Sequence, residues 1–284
     1  MAELPEPVRG AFDVRLDGVQ RAPLTLDSPH SGSAYPQDFR PAVGPERYRR
    51  AEDMDVDVLF DAGPRLGLPM LAALFPRIWL DVNRAPDDLA PEDVHGAIHL
   101  RPSAKARLGK GVIWTAAPPG GDRLLHGPLP AGEVHRRIEW FWRPYHAALD
   151  ALQAASAARF GRSWHLNLHS MQSVSTAMHE EGAGKARPEI VLSDRDGQTC
   201  APAFIRAAAE ILTGLGFVVA INDPYKGAEI VRRLGRPAEG LHALQIEVNR
   251  ALYMDEATRS RNARFEDTRA RLGLFLERLA ARLA

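Results

Sequence analysis

The chain has 284 residues, of which 45% are hydrophobic, and its 36 basic and 36 acidic side chains give no net charge at pH 7. This length suits one large domain or two small ones, and this hydrophobic fraction is that of an ordinary globular protein. The balanced charge argues against broad binding to nucleic acid or anionic membranes, although a local basic pocket for an acidic small molecule remains compatible with it.

Cysteine use and the chain start point to a cell compartment. Cys200 is the only cysteine, so an intrachain disulfide is excluded and a reducing compartment is favoured. We interpret Cys200 as a small packing residue rather than a nucleophile. No stretch approaches the roughly 18 apolar residues of a membrane span, and the N-terminus lacks the features of a signal peptide, so we expect a cytoplasmic protein.

The first part of the chain predicts strands that alternate with one helix. Residues 1–22 resemble a loose lead-in, and no repeat or linker divides the chain, so we expect a single catalytic domain over 1–284. The predicted elements are a strand at Leu24–Leu26, a helix over Glu46–Leu66 that Gly67 closes, and strands at Pro69–Leu74 and Ile78–Leu80.

Residues 85–132 carry much of the proline and glycine. A loop this long is usually functional, so we expect it to lie as a cover near the site. The later predicted elements are a helix over Glu133–Phe160 that Pro144 should kink or break, strands at Trp164–Leu168 and Glu189–Leu192, a helix at Ala203–Leu215 closed by Gly216, strands at Phe217–Ile221 and Ala243–Val248, and an amphipathic helix over 256–283. This alternation predicts an α/β fold, with a mostly parallel sheet and helices on both faces.

Two histidines occupy positions where such a sheet places ligands. His30 stands in a turn between Pro29 and Gly32, after the first strand, and packing does not require a histidine there. His169 follows a strand in which His165 and Asn167 share its face, because alternate strand residues point the same way. Since ligands bind beyond the carboxyl ends of strands in open α/β sheets, we expect the two histidines to meet there.

Two histidines at one place suit a catalytic zinc site, which uses three protein ligands. One carboxylate could turn inward as the third ligand, since Zn²⁺ accepts an Asp or Glu oxygen beside two histidines. The candidates lie in the acidic cluster Glu52, Asp53, Asp55 and Asp57. On a helix most of these side chains would be solvated. Asp53 is our first choice and Asp55 the second.

Glu247 lies inside the apolar run Leu244–Val248, where an unpaired charge is costly to bury. Partial desolvation would raise its pKa towards neutrality, which suits a general base. The structural alternative is an ion pair with Arg250 or Arg84.

Polar dipeptides after two strands indicate an anion pocket. Asn83-Arg84 and Asn249-Arg250 each follow an apolar run, and arginine binds carboxylates through two hydrogen bonds. The turn Asp223–Gly227 carries Tyr225 and Lys226, which either face the site or are ordinary loop residues.

Taken together and in order, these motifs resemble the N-formylglutamate amidohydrolase family over about residues 25–255. The segments that carry the resemblance are Ser28–Gly32 followed by Tyr35-Pro36, Asp81–Arg84, Asn167–Ser170, Asp223–Gly227 and Glu247–Met254. The resemblance implies a fold of the zinc-carboxypeptidase and phosphorylase/hydrolase type. It also implies hydrolysis of N-formyl-L-glutamate to formate and glutamate, a step of histidine degradation.

The resemblance also implies roles for the matching residues. One divalent ion, expected to be Zn²⁺, would be held by His30, Asp53 and His169. The carboxypeptidase pattern has a glutamate three residues after the first histidine, and this chain has Ser33 there, so its acidic ligand must come from elsewhere. Glu247 would be the base.

The expected substrate is a small acidic N-acyl amino acid. Asn83 and Arg84 would grip one carboxylate, Arg77 would face the oxyanion, and Lys226 or Arg187 would meet the second carboxylate. The alternatives are a related zinc deacylase with another N-acyl amino acid or peptide substrate, and a non-catalytic binding protein. A serine hydrolase is poorly supported, since the chain has no Gly-x-Ser-x-Gly segment.

Overall fold

The computed structural model describes residues 10–283, so residues 1–9 of the predicted lead-in lie outside the described part. Its strands, in chain order, are β1 (Phe12–Arg15), β2 (Leu24–Ser28), β3 (Met70–Ala73), β4 (Val94–His95), β5 (Ala116–Ala117), β6 (Asp122–Arg123), β7 (Leu129–Pro130), β8 (Ser163–Met171), β9 (Ile190–Ser193), β10 (Val219–Ile221), β11 (Leu241–Asn249), β12 (Met254–Asp255) and β13 (Ser260–Arg261). The α-helices are α1 (Pro45–Tyr48), α2 (Val56–Leu59), α3 (Ala62–Arg65), α4 (Ala104–Arg107), α5 (Ala131–Arg137), α6 (Arg143–Phe160), α7 (Pro202–Gly214), α8 (Glu229–Leu234) and α9 (Phe265–Leu283). Short 3₁₀ turns lie at Arg49–Ala51, Pro91–Asp93, Pro237–Glu239 and Arg250–Leu252, and a π-helical turn lies at Ile138–Trp142.

A seven-stranded sheet in the order β1-β3-β2-β8-β11-β9-β10 forms the centre of the fold. The four central strands β3, β2, β8 and β11 run parallel to one another. β1 is antiparallel to β3 at one edge, and β9 is antiparallel to β11 near the other. The predicted mixed, mostly parallel α/β sheet is confirmed.

Helices cover both faces of this sheet, as predicted. On one face, apolar strand residues such as Leu26, Leu166 and Ile246 belong to a core that includes side chains of α2, α7 and α9. On the other face, Tyr145 and Leu149 of α6 and Ile230 of α8 belong to a second core. Burial of these apolar surfaces is the main stabilising term of such a layered fold.

Strand alternation gives the second face a polar stripe. Thr25 and Asp27 of β2 lie in register with His165 and Asn167 of β8, and all four are buried. Buried polar groups need partners, and Asp27 meets this need by accepting hydrogen bonds from Asn167 Nδ2 at 2.8 Å and from the Tyr145 hydroxyl at 2.8 Å. The predicted shared face of His165, Asn167 and His169 is therefore a buried network rather than a solvated strand edge.

The predicted helix over Glu46–Leu66 is wrong. The segment is broken into α1, a 3₁₀ turn, α2 and α3, with Glu52 extended at φ −62°, ψ 137° and Asp55 left-handed at φ 62°. Neither conformation continues a helix. In this break, the Asp53 N–H donates to the His30 carbonyl at 3.1 Å, so the interruption ties the acidic segment to the turn after β2. Gly67 follows α3 with positive φ, as expected.

Four further elements differ from prediction. A turn at residues 77–79 replaces the strand predicted at 78–80, although the side chains of 78–80 are buried as an apolar run should be. The lead-in contains the edge strand β1, and α8 lies in a stretch for which no element was predicted. The last helix begins at Phe265 instead of residue 256, because β12 and β13 pair first.

The long helix before β8 shows how the chain accommodates Pro144. The helical path runs from α5 through a π-helical turn at Ile138–Trp142 into α6, with Pro144 in the first turn of α6. Proline lacks the N–H that an α-helix needs at that place, and the wider π turn absorbs the mismatch. Among residues 10–283 there is no helix with the length and apolar character needed to span a bilayer.

Candidate active site

The structure brings together the three predicted metal ligands. His30 in the turn after β2, Asp53 in the helix break and His169 near the end of β8 are 2% exposed or less. The two Nδ1 atoms are 3.0 Å apart, and Asp53 Oδ2 lies 3.3 Å from Nδ1 of His30 and 3.2 Å from that of His169. They form a group of His and Asp side chains whose atoms are close enough to share one metal ion.

The far nitrogen of each imidazole faces an acceptor, which determines where the ring protons lie. His30 Nε2 is 2.7 Å from Asp81 Oδ1, and His169 Nε2 is 2.7 Å from Asn167 Oδ1. The orientation of the Asn167 amide follows from its Nδ2, which donates to Asp27. Asn83 Nδ2 also faces His169 Nε2, at 3.0 Å, but the contact with Asn167 Oδ1 is shorter and favours a proton on Nε2. With the proton on Nε2, each ring points the lone pair of Nδ1 at the other two ligands.

This arrangement fits a bound cation. Two Nδ1 lone pairs and Oδ2 of Asp53 converge, and no hydrogen-bond donor from residues 10–283 lies between them. The other Asp53 oxygen, Oδ1, accepts from Arg77 at 3.3 Å and from Arg250 at 2.9 Å. Acceptors so close repel one another unless a proton or a metal ion lies between them. A divalent ion with imidazole and carboxylate ligands satisfies all three.

The rest of the acidic cluster has other partners. Asp55, the alternative ligand, points away and binds Arg261 through both carboxylate oxygens, at 2.8 and 3.0 Å. Glu52 accepts from the Tyr35 hydroxyl at 2.6 Å, and Asp57 pairs with Arg15 at 2.9 Å. Only Asp53 of the four lies in the group with the histidines.

Asp81 is a site residue that the sequence interpretation missed. Its two oxygens bind His30 Nε2, the Asn83 N–H at 2.9 Å, the Trp114 indole N–H at 3.1 Å and Arg77 Nη2 at 3.1 Å. Burial opposes its ionisation, yet the adjacent His30, which also bonds to it, and the charge of Arg77 hold the pKa of Asp81 well below its usual range. The sequence did contain one signal for Asp81: it is the first residue of the polar segment that follows an apolar run.

Glu247 lies beside His169, because the two residues are register partners on the parallel strands β11 and β8. Its side chain lines the cavity, and Gln245 Nε2 donates to its Oε1 at 2.9 Å. Burial raises the pKa of Glu247 to about 7, with the Asp53 charge adding to the shift while His169 and Arg77 oppose it. Within residues 10–283, Glu247 makes no salt bridge, so the ion pair with Arg250 or Arg84 is not formed.

Arg77 lies between two acids at the edge of the cavity. Its guanidinium pairs with Asp53 at 3.3 Å and Asp81 at 3.1 Å and lies 4.9 Å from the centre of the Trp114 ring. Burial disfavours the charged form, but Asp81 and Asp53 outweigh it, and the pKa of Arg77 is raised. Arg77 thus stays charged beside the predicted metal ligands.

Asn83 and Arg84 have different surroundings. The Asn83 side-chain amide lies 3.0 Å from His169 Nε2 and accepts from the Ile230 N–H at 2.9 Å, so protein groups occupy both of its ends. Arg84 donates to the carbonyls of Lys110 at 3.0 Å and Asn83 at 2.8 Å, and its side chain lines the cavity. These backbone partners orient the Arg84 guanidinium without neutralising its charge.

The loop residues predicted to contact the substrate differ in their partners and in their exposure. The Tyr225 hydroxyl accepts from Arg187, whose guanidinium also binds Glu181. Lys226 also borders the cavity, but its Nζ pairs with Asp196 at 2.9 Å and its side chain is 63% exposed. Arg187 and Lys226 therefore already have carboxylate partners.

A cavity of about 370 Å³ lies over this group of residues. Lys105, Lys110, Trp114 and Pro118 line it, and all four come from the segment 85–132. Neither lysine was singled out from the sequence, because nothing in a stretch of irregular composition indicates which side chains turn inwards. Cys200 is buried outside the cavity lining, and burial raises the pKa of its thiol, which fits a packing role.

Comparisons with known proteins agree with these motifs. A sequence model of the family described as N-formylglutamate amidohydrolase matches residues 22–254. The chain is 30% identical to an N-formylglutamate deformylase of Pseudomonas putida and 29% identical to one of Pseudomonas aeruginosa; the first match covers 83% of both chains, and the second covers 83% of this chain and 84% of its relative. It also matches the crystal structure of an N-formylglutamate amidohydrolase from Ralstonia eutropha JMP134, with 42% identity, a TM-score of 0.89, and coverage of 96% of this chain and 98% of the other.

Proposed function

Because the chain belongs to the N-formylglutamate amidohydrolase family, we propose that it hydrolyses the formamide bond of N-formyl-L-glutamate and releases formate and L-glutamate. Its relatives are named N-formylglutamate deformylase or amidohydrolase, and these names support hydrolysis of that amide bond. The observation that carries the proposal is the group His30, Asp53 and His169 beside Glu247, on the wall of a cavity lined by several cations.

The proposed cofactor is one zinc ion held by His30, Asp53 and His169. Two imidazole nitrogens and one carboxylate oxygen are a donor set that catalytic zinc uses. When bound, the ion supplies a Lewis acid that acidifies water and polarises a carbonyl group. The chain's own contribution is to hold the ligands: Asp81 and Asn167 keep both Nδ1 lone pairs directed at one point.

Glu247 is the proposed general base. Water attacks the formyl carbon, and Glu247 accepts the water proton as the C–O bond forms. It then delivers that proton to the amine nitrogen as the C–N bond breaks. A buried carboxylate with a pKa of about 7 can do both, since it takes up and releases a proton near neutral pH.

Two arginines have proposed roles in charge stabilisation and substrate binding. Arg77, held by Asp53 and Asp81, lies where negative charge develops on the formyl oxygen, and such preorganised cations stabilise transition states. Arg84 binds the α-carboxylate of the substrate. Asn83 acts on the site through His169, because protein groups occupy its amide.

Tyr225 and Lys226, in the turn Asp223–Gly227, have proposed places at the cavity. Tyr225 forms part of the substrate wall, while Lys226 borders the cavity as the partner of Asp196. Histidine degradation as the pathway and the cytoplasm as the location stay predictions.

Two measurements test the proposal: formate release from N-formyl-L-glutamate, and the metal content of the purified protein by elemental analysis. We expect about one equivalent of zinc, formate release, and loss of activity after chelation that zinc restores. A panel of N-formyl and N-acetyl amino acids separates this function from a related deacylase. Faster turnover of an N-acetyl or neutral substrate would favour the deacylase, and absence of turnover with metal bound would favour a binding protein.

A further inference from the structure

Two lysines on the cavity wall lack acidic partners. Among residues 10–283, no carboxylate lies within 4.0 Å of the ammonium group of Lys105 or Lys110, and neither group makes a hydrogen bond. Yet Lys110 is only 9% exposed, and both side chains line the cavity. Lysine is almost never buried without a counter-ion. Glu180 and Glu181 line the same cavity and act on the two lysines only through space. An anion bound in the cavity would supply the partner at contact distance that both ammonium groups lack.

The other cations of the cavity wall differ in whether a carboxylate of the protein already neutralises them. Those that already pair with carboxylates are Arg77 with Asp53 and Asp81, Arg250 with Asp53, and Lys226 with Asp196. Arg84 is oriented only by backbone carbonyls, and its Nε bonds to the carbonyl of Lys110 itself, at 3.0 Å. Arg50 also lines the cavity and, within residues 10–283, bonds only to the carbonyls of Glu46 at 3.0 Å and Glu256 at 3.4 Å. In this part of the chain, Arg84, Lys105 and Lys110 are the other wall cations without a carboxylate partner, and the Arg84 contact with the Lys110 carbonyl joins them into one group.

The two lysines are held by a built frame and not by a loose surface loop. Asp88 accepts hydrogen bonds from the N–H of Ser103 at 2.7 Å and from its hydroxyl at 2.9 Å. Ser103 in turn caps α4, which carries Lys105, and the Lys110 N–H donates to the Lys105 carbonyl at 2.9 Å. These contacts place both side chains on one short turn.

Close backbone packing at two glycines also fixes the turn that carries Lys105 and Lys110. At Gly111, a Cβ atom would come within 2.3 Å of the Asp88 carbonyl oxygen, so no larger residue fits there. Gly109 has φ +73°, a conformation that glycine adopts without strain. Lys110 lies between these two glycines, and its position is therefore set by backbone geometry.

We propose that Lys105 and Lys110 together bind the second, side-chain carboxylate of the substrate and thereby select N-acyl amino acids with an acidic side chain. This inference rests on the proposed function, which needs cations for two carboxylates, and it replaces Lys226 and Arg187 in that role. Arg84 takes the α-carboxylate and the lysine pair takes the other. The Nζ of Lys105 also lies 5.9 Å from the centre of the Tyr225 ring, so Lys105 lies near another residue of the cavity lining.

The surroundings of Lys105 and Lys110 also support this assignment. Burial lowers the pKa of Lys105 to about 8, with the Arg84 charge adding to the shift, and lowers that of Lys110 to about 7, with Lys105 and Arg84 adding. A bound carboxylate would favour the charged ammonium form again.

The first test compares formate release from N-formyl-L-glutamate and N-formyl-L-glutamine, which differ only in the charge of the side chain. The variants are Lys105→Met, Lys110→Met and the double variant, with Lys185→Met as the control, because Lys185 is exposed and lies outside the cavity lining. In the double variant, kcat/KM for the glutamate substrate should fall about 10- to 100-fold, while that for the glutamine substrate should change less than about threefold. The Lys185→Met protein should match the wild type with both substrates.

The second test measures binding of the products L-glutamate and L-glutamine by calorimetry, which requires no turnover. The wild type should bind glutamate about 10- to 100-fold more tightly than glutamine, and the double variant should lose this preference. Equal losses for glutamate and glutamine in the double variant, or an unchanged preference, would overturn the inference. A wild type that releases formate without any preference for the acidic side chain would overturn it too, and would leave the proposed reaction standing. A wild type that binds glutamate selectively but releases no formate would instead count against the reaction.

Discussion

Glu247 and His169 are register partners on the neighbouring parallel strands β11 and β8. Adjacent strands lie about 4.8 Å apart, so the proposed base and a proposed metal ligand project side by side from the same face of the sheet. Sheet pairing, with no need for a flexible loop, therefore sets the distance between the proposed base and this proposed metal ligand.

Glu247→Gln should separate proton transfer from metal binding. The amide keeps the size of the side chain but cannot accept a proton, so zinc content should stay at the wild-type value while turnover falls by a factor of about 10² or more. Zinc analysis and formate release check this, with the exposed Glu277→Gln as the matched control. Unchanged turnover in Glu247→Gln would remove Glu247 from the base role.

Asp53→Asn and Asp55→Asn form a matched pair that tests the acidic ligand. The Asp53 variant should lose most of its zinc affinity, because the carboxylate that faces both histidines becomes neutral. The Asp55 variant should lose only an exposed ion pair with Arg261, which is worth about 0–1 kcal/mol. Asparagine also tolerates the left-handed backbone at that position. Competition with a chelator measures both affinities, and the reverse order of effects would make Asp55 the ligand.

Arg84→Ala should weaken only substrates that carry an α-carboxylate. We expect kcat/KM for N-formyl-L-glutamate to fall about 10- to 100-fold, since a charged hydrogen-bond partner is lost. N-formyl-4-aminobutyrate lacks the α-carboxylate, and its turnover by the variant should stay close to the wild-type rate. The exposed Arg206→Ala on α7 is the control. Equal losses on both substrates would indicate that Arg84 acts through the structure of the loop.

Lys110→Met should stabilise the ligand-free protein, and the gain should depend on pH. Burial lowers the pKa of Lys110 from 10.5 in the unfolded chain to about 7 in the folded protein. The unfolded state therefore holds the proton more tightly, and the stability present above pH 10.5 is lost progressively as the pH falls through 7.

Methionine removes this penalty, so the free energy of unfolding should rise by about 1–3 kcal/mol at pH 6, with a smaller rise at pH 9. Urea unfolding in a buffer without polycarboxylates measures the change, with Lys185→Met as the control. A destabilised variant, or a gain independent of pH, would contradict the prediction.

Much of the fold follows from local sequence patterns. Short apolar runs predicted β2, β3, β8 and β11, and helical periodicity with a closing glycine predicted α7. The failures have local causes as well. The periodic pattern over Glu46–Leu66 did not reveal the extended Glu52 and the left-handed Asp55. The apolar run at residues 78–80 is buried but turns, because burial alone does not distinguish a strand from a turn packed inside a core.

The sequence by itself determined which side chains could do the chemistry: His30, His169 and Glu247 each stand where an apolar strand ends or carries an unexpected polar group. Only the tertiary structure decided that Asp53 and not Asp55 meets the histidines, that Asp81 supports His30, and that Lys105 and Lys110 turn into the cavity. The physical reason is the range of the forces involved. Strand alternation and burial are local and leave a periodic trace in the sequence. The direction of a carboxylate in a broken helix, or of a lysine in a long loop, depends on contacts between segments far apart in the chain.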